Sequence, residues 1–148
     1  MEVLAVDPDV EYNGIAKFDT ESKAISVTKM TMPQLTEYMR SNNRNISKII
    51  IEGGWLNDKV NFHGGNYRVA QKIAYAVGRN AQCGRIILQY ADFYHIKSQT
   101  IKPLVKVWKN GKINHLELNR ELTARGYTKF SRTNQDERDS ILLLLHGI

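Results

Sequence analysis

The chain has 148 residues, 21 Lys/Arg against 15 Asp/Glu, a formal net charge of +6 and a single cysteine. That length suffices for one domain, residues 1–148, with a real core and no staples, and a lone Cys83 excludes an intramolecular disulfide and fits a reducing cytoplasm. No stretch approaches the roughly 20 apolar residues of a membrane helix, and the acidic start Met1-Glu-Val-Leu-Ala-Val-Asp7 lacks the basic end of a signal peptide, so secreted-scaffold, membrane and disordered classes are poor readings.

In chain order, residues 3–6 form a short apolar run stopped by Asp7-Pro8 and read as a buried strand. Residues 14–18 and 24–30 read as two further strands, joined by the polar hairpin turn 19–23. Pro33 opens a helix through Ser41, with Leu35, Tyr38 and Met39 at helical spacing. Residues 49–51 form a β-branched strand, buried on both faces, that ends on Glu52 and breaks at Gly53-Gly54. Residues 66–83 carry the longest helical pattern. Ala70, Ile73, Ala74, Val77 and Ala81 make its apolar stripe, and Arg68, Lys72, Tyr75 and Arg79 lie opposite. Residues 86–90 read as the next strand and 91–99 as a short helix. Asn114-His-Leu-Glu117 has the form of a capping box opening a helix that Gly126 closes. Asn134-Gln-Asp-Glu137 repeats that signature before the all-apolar Ile141-Leu-Leu-Leu-Leu145. The order βββαβαβ with helices after it predicts an α/β domain whose mixed sheet has an antiparallel meander followed by parallel strands.

Four acids stand where acids are costly. Asp7 and Glu52 end buried strands, and Asp136 and Asp139 open the most apolar helix. The last two are three apart and so share a helix face, in the turn where the helix dipole favours negative charge. If the strand ends face that helix, four carboxylates converge, and each pair at ~4 Å repels by about 4 kcal/mol at an effective dielectric near 20. Such a cluster takes up protons or recruits a hard cation, and oxygen-only ligands favour Mg²⁺ or Mn²⁺ over zinc. The chemistry it would support is phosphodiester hydrolysis. Taken singly, a turn with Pro8 accounts for Asp7, and helix capping accounts for Asp136.

Charge is unevenly spread. Residues 1–56 hold six bases and eight acids, residues 57–148 fifteen and seven. A basic stretch beside an acidic one is the footprint of a nucleic-acid binder, although a solvated basic surface would look the same. The four histidines show no zinc spacing, the glycine pairs lack a following Gly-Lys-Ser/Thr, and Cys83 reads as a packed or incidental thiol.

Together these residues resemble a family. Val-Asp7-Pro-Asp-Val-Glu-Tyr-Asn-Gly14 resembles the first strand and turn of the RuvC-type Holliday junction resolvases, within the ribonuclease H-like superfamily. Ile-Ile-Ile-Glu52 resembles the family's second acidic strand. Asp136-Glu-Arg-Asp139 is similar to its C-terminal Asp-x-x-Asp helix. The resemblance implies a ribonuclease H-like fold, a Mg²⁺-dependent endonuclease (Mn²⁺ as substitute) that nicks four-way junctions in branched DNA, and a homodimer. It makes Asp7, Glu52, Asp136 and Asp139 catalytic metal ligands. It implies DNA contacts by Trp55 on a rim, by Arg68 and Lys72, by Lys97 after Tyr90-Ala91, and by Lys109 or Lys112. Asp9 stands where the family has Gly, and Asp9, Glu11 or Glu137 could add to the site. A ribonuclease H-type or other structure-specific nuclease, and an inactive nucleic-acid-binding protein of the same fold, are the alternatives.

Overall fold

A computed structural model describes residues 1–56, 66–104, 108 and 112–148. Five strands form one mixed sheet in the order β3-β2-β1-β4-β5. β1 (Glu2–Asp7), β2 (Asn13–Asp19) and β3 (Ile25–Met30) make the antiparallel meander, and β4 (Ile46–Glu52) and β5 (Ser98–Ile101) add in parallel beside β1. The turn between β2 and β3 is tied by Asp19, whose Oδ1 accepts from the Glu21 and Ser22 amides at 2.9 and 2.7 Å, while Lys23 takes φ 60°.

Successive residues of a strand face opposite sides, and each side has its own core. Val3, Ala5, Ala16, Phe18 and Ile50 pack under α3 (His115–Ala124) and α4 (Gln135–Gly147), through Leu118, Leu122 and the run Ile141–Leu145. Leu4, Val6, Ile15, Ile49 and Ile51 face α1 (Met32–Asn42) and α2 (Tyr67–Phe93), through Leu35, Met39, Ile87 and Ala91. β1 and β4 are thus covered on both sides, which is why their apolar runs are continuous. Truncating a fully buried member such as Ile50 to Ala would cost about 2–5 kcal/mol.

Two expectations are corrected. Residues 86–90 are not a strand: α2 runs unbroken through Phe93, taking in the first three residues of the stretch 91–99 that read as a separate short helix. The last strand among the described residues, β5, begins at Ser98 near the end of that stretch and runs past it to Ile101. The apolar run Ile86-Ile-Leu88 fits either period. Gly84, Ile87 and Ala91 form one buried helical face, and that packing decides for helix. Nor is the stripe along 70–81 the buried face of α2. Val69, Ile73 and Val77 are 52%, 49% and 40% exposed, because the first half of the helix runs clear of the sheet. Among the described residues no helix is long and apolar enough to cross a membrane.

Candidate functional site

The two-residue alternation carries four residues to one end of the α4 face. Asp7 follows Val3 and Ala5, Glu52 follows Ile50, Gly14 precedes Ala16, and Lys29 follows Ile25 and Val27. The strand register lines them up: Asp7 pairs with Gly14, Gly14 with Lys29, and Glu52 is the next position after the Val6–Ile51 pair. The start of α4 lies over this row. A Cβ built on Gly14 would meet the Asp136 carbonyl oxygen at 3.4 Å, the Asp7 Cβ at 3.7 Å and the Ser140 Cβ at 3.8 Å. Gly14 therefore lets the helix settle on the sheet beside Asp7, and a side chain longer than a methyl would drive into α4.

Local bonds fix the helix start. Asn134 caps it, its Oδ1 accepting from the Glu137 amide at 2.9 Å while Glu137 Oε2 accepts from the Asn134 amide at 2.8 Å. Glu137 is thus committed to the cap. Arg138 donates to the Ile113 and Thr133 carbonyls at 2.9 and 2.7 Å and to Gln135 Oε1 at 3.1 Å. Gln135 in turn donates to Asp139 Oδ1 at 3.0 Å, so half-buried Asp139 is held in place one turn into the helix.

Asp7, Asp9, Glu11 and Asp136 line a recess of about 270 Å³, with Pro8, Tyr12, Gly14, Lys29 and Asn80 completing the wall. The loop 8–12 is anchored by fully buried Asn13, which accepts from the Asp9 amide at 3.2 Å and donates to the Met30 carbonyl at 3.1 Å. Asp9 also accepts from the Glu11 amide at 2.9 Å and from Asn80 Nδ2 at 3.4 Å, which ties the loop to α2. The Lys29 ammonium stands 2.8 Å from Asp136 Oδ2. Its pKa is raised by that hydrogen bond first, then by the charges of Asp136, Glu137 and Asp9.

The structure therefore brings Asp7 and Asp136 into one recess, with Glu52 on the adjoining strand end and Asp139 a turn along α4. Among the described residues no three His, Cys, Asp or Glu side chains are grouped closely enough to hold a metal ion. The donors still suit a hard cation. They are all oxygens, Mg²⁺ uses one or two carboxylates with water and substrate phosphate rather than a closed cage, and a cation already pairs with Asp136.

The basic candidates are spread more widely. Arg68 and Lys72 are exposed on the outlying half of α2, about 18 and 12 Å along the axis from Asn80 at 1.5 Å per residue. Lys112 is exposed just before Ile113, whose carbonyl Arg138 holds, so it lies beside the start of α4. Lys109 falls outside the described residues. Lys97 precedes β5 and its carbonyl accepts from the Ile49 amide at 2.8 Å. Because β5 runs parallel to β4 with Ile101 opposite Glu52, Lys97 lies about 13 Å from the carboxylate end. Exposed Lys102, next after Ile101, follows β5 at that end. Trp55 is not on an open rim. It is half-buried against the α1/α2 core, close enough to α2 that a Cβ on Gly84 would meet its Cζ3 at 2.5 Å, with the Arg85 guanidinium 5.9 Å from its ring.

Sequence reasoning missed Lys29, Lys102, Asn13 and Asn80. A signal existed for Lys29 alone, as a charge completing the apolar alternation of Ile25 and Val27.

No protein-family model matches the chain, and no curated protein matches it in sequence. Among solved structures, the Holliday junction resolvase of fowlpox virus is similar over 99% of this chain and 97% of its own, with a TM-score of 0.53 and 18% identity. YeaZ from Pseudomonas aeruginosa is similar over 85% of this chain and 52% of its own, with a TM-score of 0.41 and 9% identity. With the sheet order and the α4 face described above, the first likeness makes the fold ribonuclease H-like, in the form a Holliday junction resolvase takes.

Proposed function

We propose that this protein is a metal-dependent endonuclease acting on branched DNA, with the four-way junction as its main substrate. The observation that carries this reading is the meeting of Asp7 and Asp136 across Gly14, beside the end of Glu52, in a chain that matches a viral junction resolvase from end to end. Asp7 and Asp136 would hold Mg²⁺, with water and substrate phosphate completing its shell and with Glu52 and Asp139 as the further carboxylates nearby, and Mn²⁺ would substitute. When bound, the metal supplies activation of a water and stabilisation of the leaving oxygen. The chain's own work is positioning. Asn134, Glu137 and Arg138 keep the start of α4 fixed over the sheet, and Gln135 orients Asp139. Lys102 and Lys112 put positive charge where a phosphate would enter, and Arg68 and Lys72 extend that charge along α2. Hydrolysis then adds water across one P–O ester bond, leaving a nick.

A homodimer fits both the two nicks that resolving a junction needs and the outlying half of α2, where Val69, Ile73 and Val77 repeat every four residues on an exposed surface. Sedimentation of the free protein and of its junction complex tests this: two copies are expected, and a monomer in both states would remove the dimer.

One observation favours a second reading, a DNA-binding protein of the same fold with a silent site: Lys29 already neutralises Asp136. Cleavage assays on matched four-way junction, RNA–DNA hybrid and linear duplex, with and without Mg²⁺, separate the readings. Mg²⁺-dependent nicking confined to the junction is the expected result. Preference for the hybrid would make it a ribonuclease H-type enzyme, and tight junction binding without nicking would favour the silent protein.

A further inference from the structure

Lys29 is the residue the fold treats least like its neighbours. Ile25 and Val27 precede it on the same face of β3 and pack into the core under α4. The third residue of that stripe carries a cation instead and turns it to the Asp136 carboxylate at 2.8 Å. The recess around it is lined by Asp7, Asp9, Glu11 and Asp136. A lysine at the rim of an acidic recess could simply reach into solvent, since its four-carbon stem is flexible. Here its position is set by the strand pairing, because Lys29 is opposite Gly14 and Gly14 opposite Asp7.

We infer that Lys29 is a positioning residue that occupies the place of the divalent cation on Asp136 and must leave it before metal binds. This deepens the proposed function and rests on its metal site. Two consequences follow from charge alone. In the metal-free protein the ammonium offsets part of the negative charge of the recess. When metal takes over Asp136, the freed ammonium remains tethered to β3 at the edge of the same recess. Metal binding is then a one-for-one exchange of cations and is weakened by the ion pair it must break.

The test is Mn²⁺ binding to the full chain without DNA, read as the loss of the free-ion paramagnetic resonance signal. The proteins are the wild type, Lys29→Met, Lys29→Arg and Asp136→Asn, each checked for an unchanged melting curve. The ion pair is exposed and screened by solvent, so Lys29→Met should bind Mn²⁺ only about two- to fivefold more tightly, and Lys29→Arg should match the wild type. Unchanged or weaker binding by Lys29→Met, with wild-type binding intact and lost in Asp136→Asn, would overturn the exchange role and leave the metal site standing. Wild-type binding that is absent, or that Asp136→Asn leaves unaltered, would instead overturn the metal site itself.

Discussion

The contact between Trp55 and Gly84 allows a prediction that can be worked through. A methyl at Gly84 would lie 2.5 Å from Trp55 Cζ3, 3.1 Å from Cη2 and 3.3 Å from Pro8 Cγ, so the indole must shift to admit it. Overpacking of this kind costs about 1–3 kcal/mol, whereas Ala in place of Gly inside a helix gains about 1 kcal/mol. Gly84→Ala alone should therefore lose about 1 kcal/mol. Removing the ring removes the two closest contacts, leaves only the 3.3 Å approach to Pro8 Cγ and keeps the helix gain, so the same substitution on a Trp55→Ala background should gain up to about 1 kcal/mol. The two effects differ by up to about 2 kcal/mol, which is the coupling a double-mutant cycle would report. For a chain of this length each 1 kcal/mol moves Tm by about 2–4 °C. Urea unfolding of the four proteins, followed by circular dichroism, measures the cycle. Trp55→Ala itself should cost about 2–3 kcal/mol, below the ~3–5 kcal/mol of a fully buried tryptophan, since the residue is partly buried. If Gly84→Ala shifts stability equally in both backgrounds, the ring does not pack on α2. Trp55 would then stand on the rim, where stacking on an exposed base of the junction becomes its main work.

Lys102→Ala should slow junction nicking tenfold or more at saturating DNA. Lys97→Ala, at the far end of β5, should leave that rate within about twofold and at most flatten the salt dependence of binding by about 0.9 in log–log slope. Equal rate losses for the two would refute the placement read from the β4–β5 register. Glu37, bonded by the Arg40 guanidinium and the Ser41 hydroxyl, is held at about 2 against an ordinary 4.5. Its folded value lies below the unfolded one, so the stabilisation is complete above about 4.5 and is lost as pH falls through about 2. Carboxyl NMR titration should find that midpoint, and Arg40→Gln should return it toward 4.5. Gly147→Ala would drive a Cβ into the Ile50 side chain, and should lower Tm by several degrees without altering DNA affinity.

What could be read from the sequence follows from how local each signal is. The meander, β4 and α4 were legible because alternation, β-branched runs and the Asn134–Glu137 and Asn114–Glu117 capping boxes are each decided within a few residues, and both boxes form. The box at Thr31 and Gln34, which starts α1 before Pro33, lies in an equally local pattern but escaped the reading. Residues 86–90 were misread because a short apolar run carries no period of its own. Only contact with the sheet through Gly84, Ile87 and Ala91 makes it helical. That error also displaced the last strand: with β5 at Ser98–Ile101, Ile101 pairs with Glu52, Lys102 follows it in the chain, and Lys97 lies at the other end of the strand. Asp7 and Asp136 were legible as acids at a strand end and a helix start. Their common recess depends on Gly14 admitting α4, a relation between distant segments that no local pattern encodes.

The central claim is that the carboxylate end of the sheet is a metal-dependent nuclease site for branched DNA. Its most direct test compares wild type and Asp7→Asn on a four-way junction in Mg²⁺, with binding and nicking measured on the same samples. The wild type should nick the junction, whereas Asp7→Asn should bind it equally well or more tightly and not nick it. Nicking by Asp7→Asn at the wild-type rate would contradict the claim.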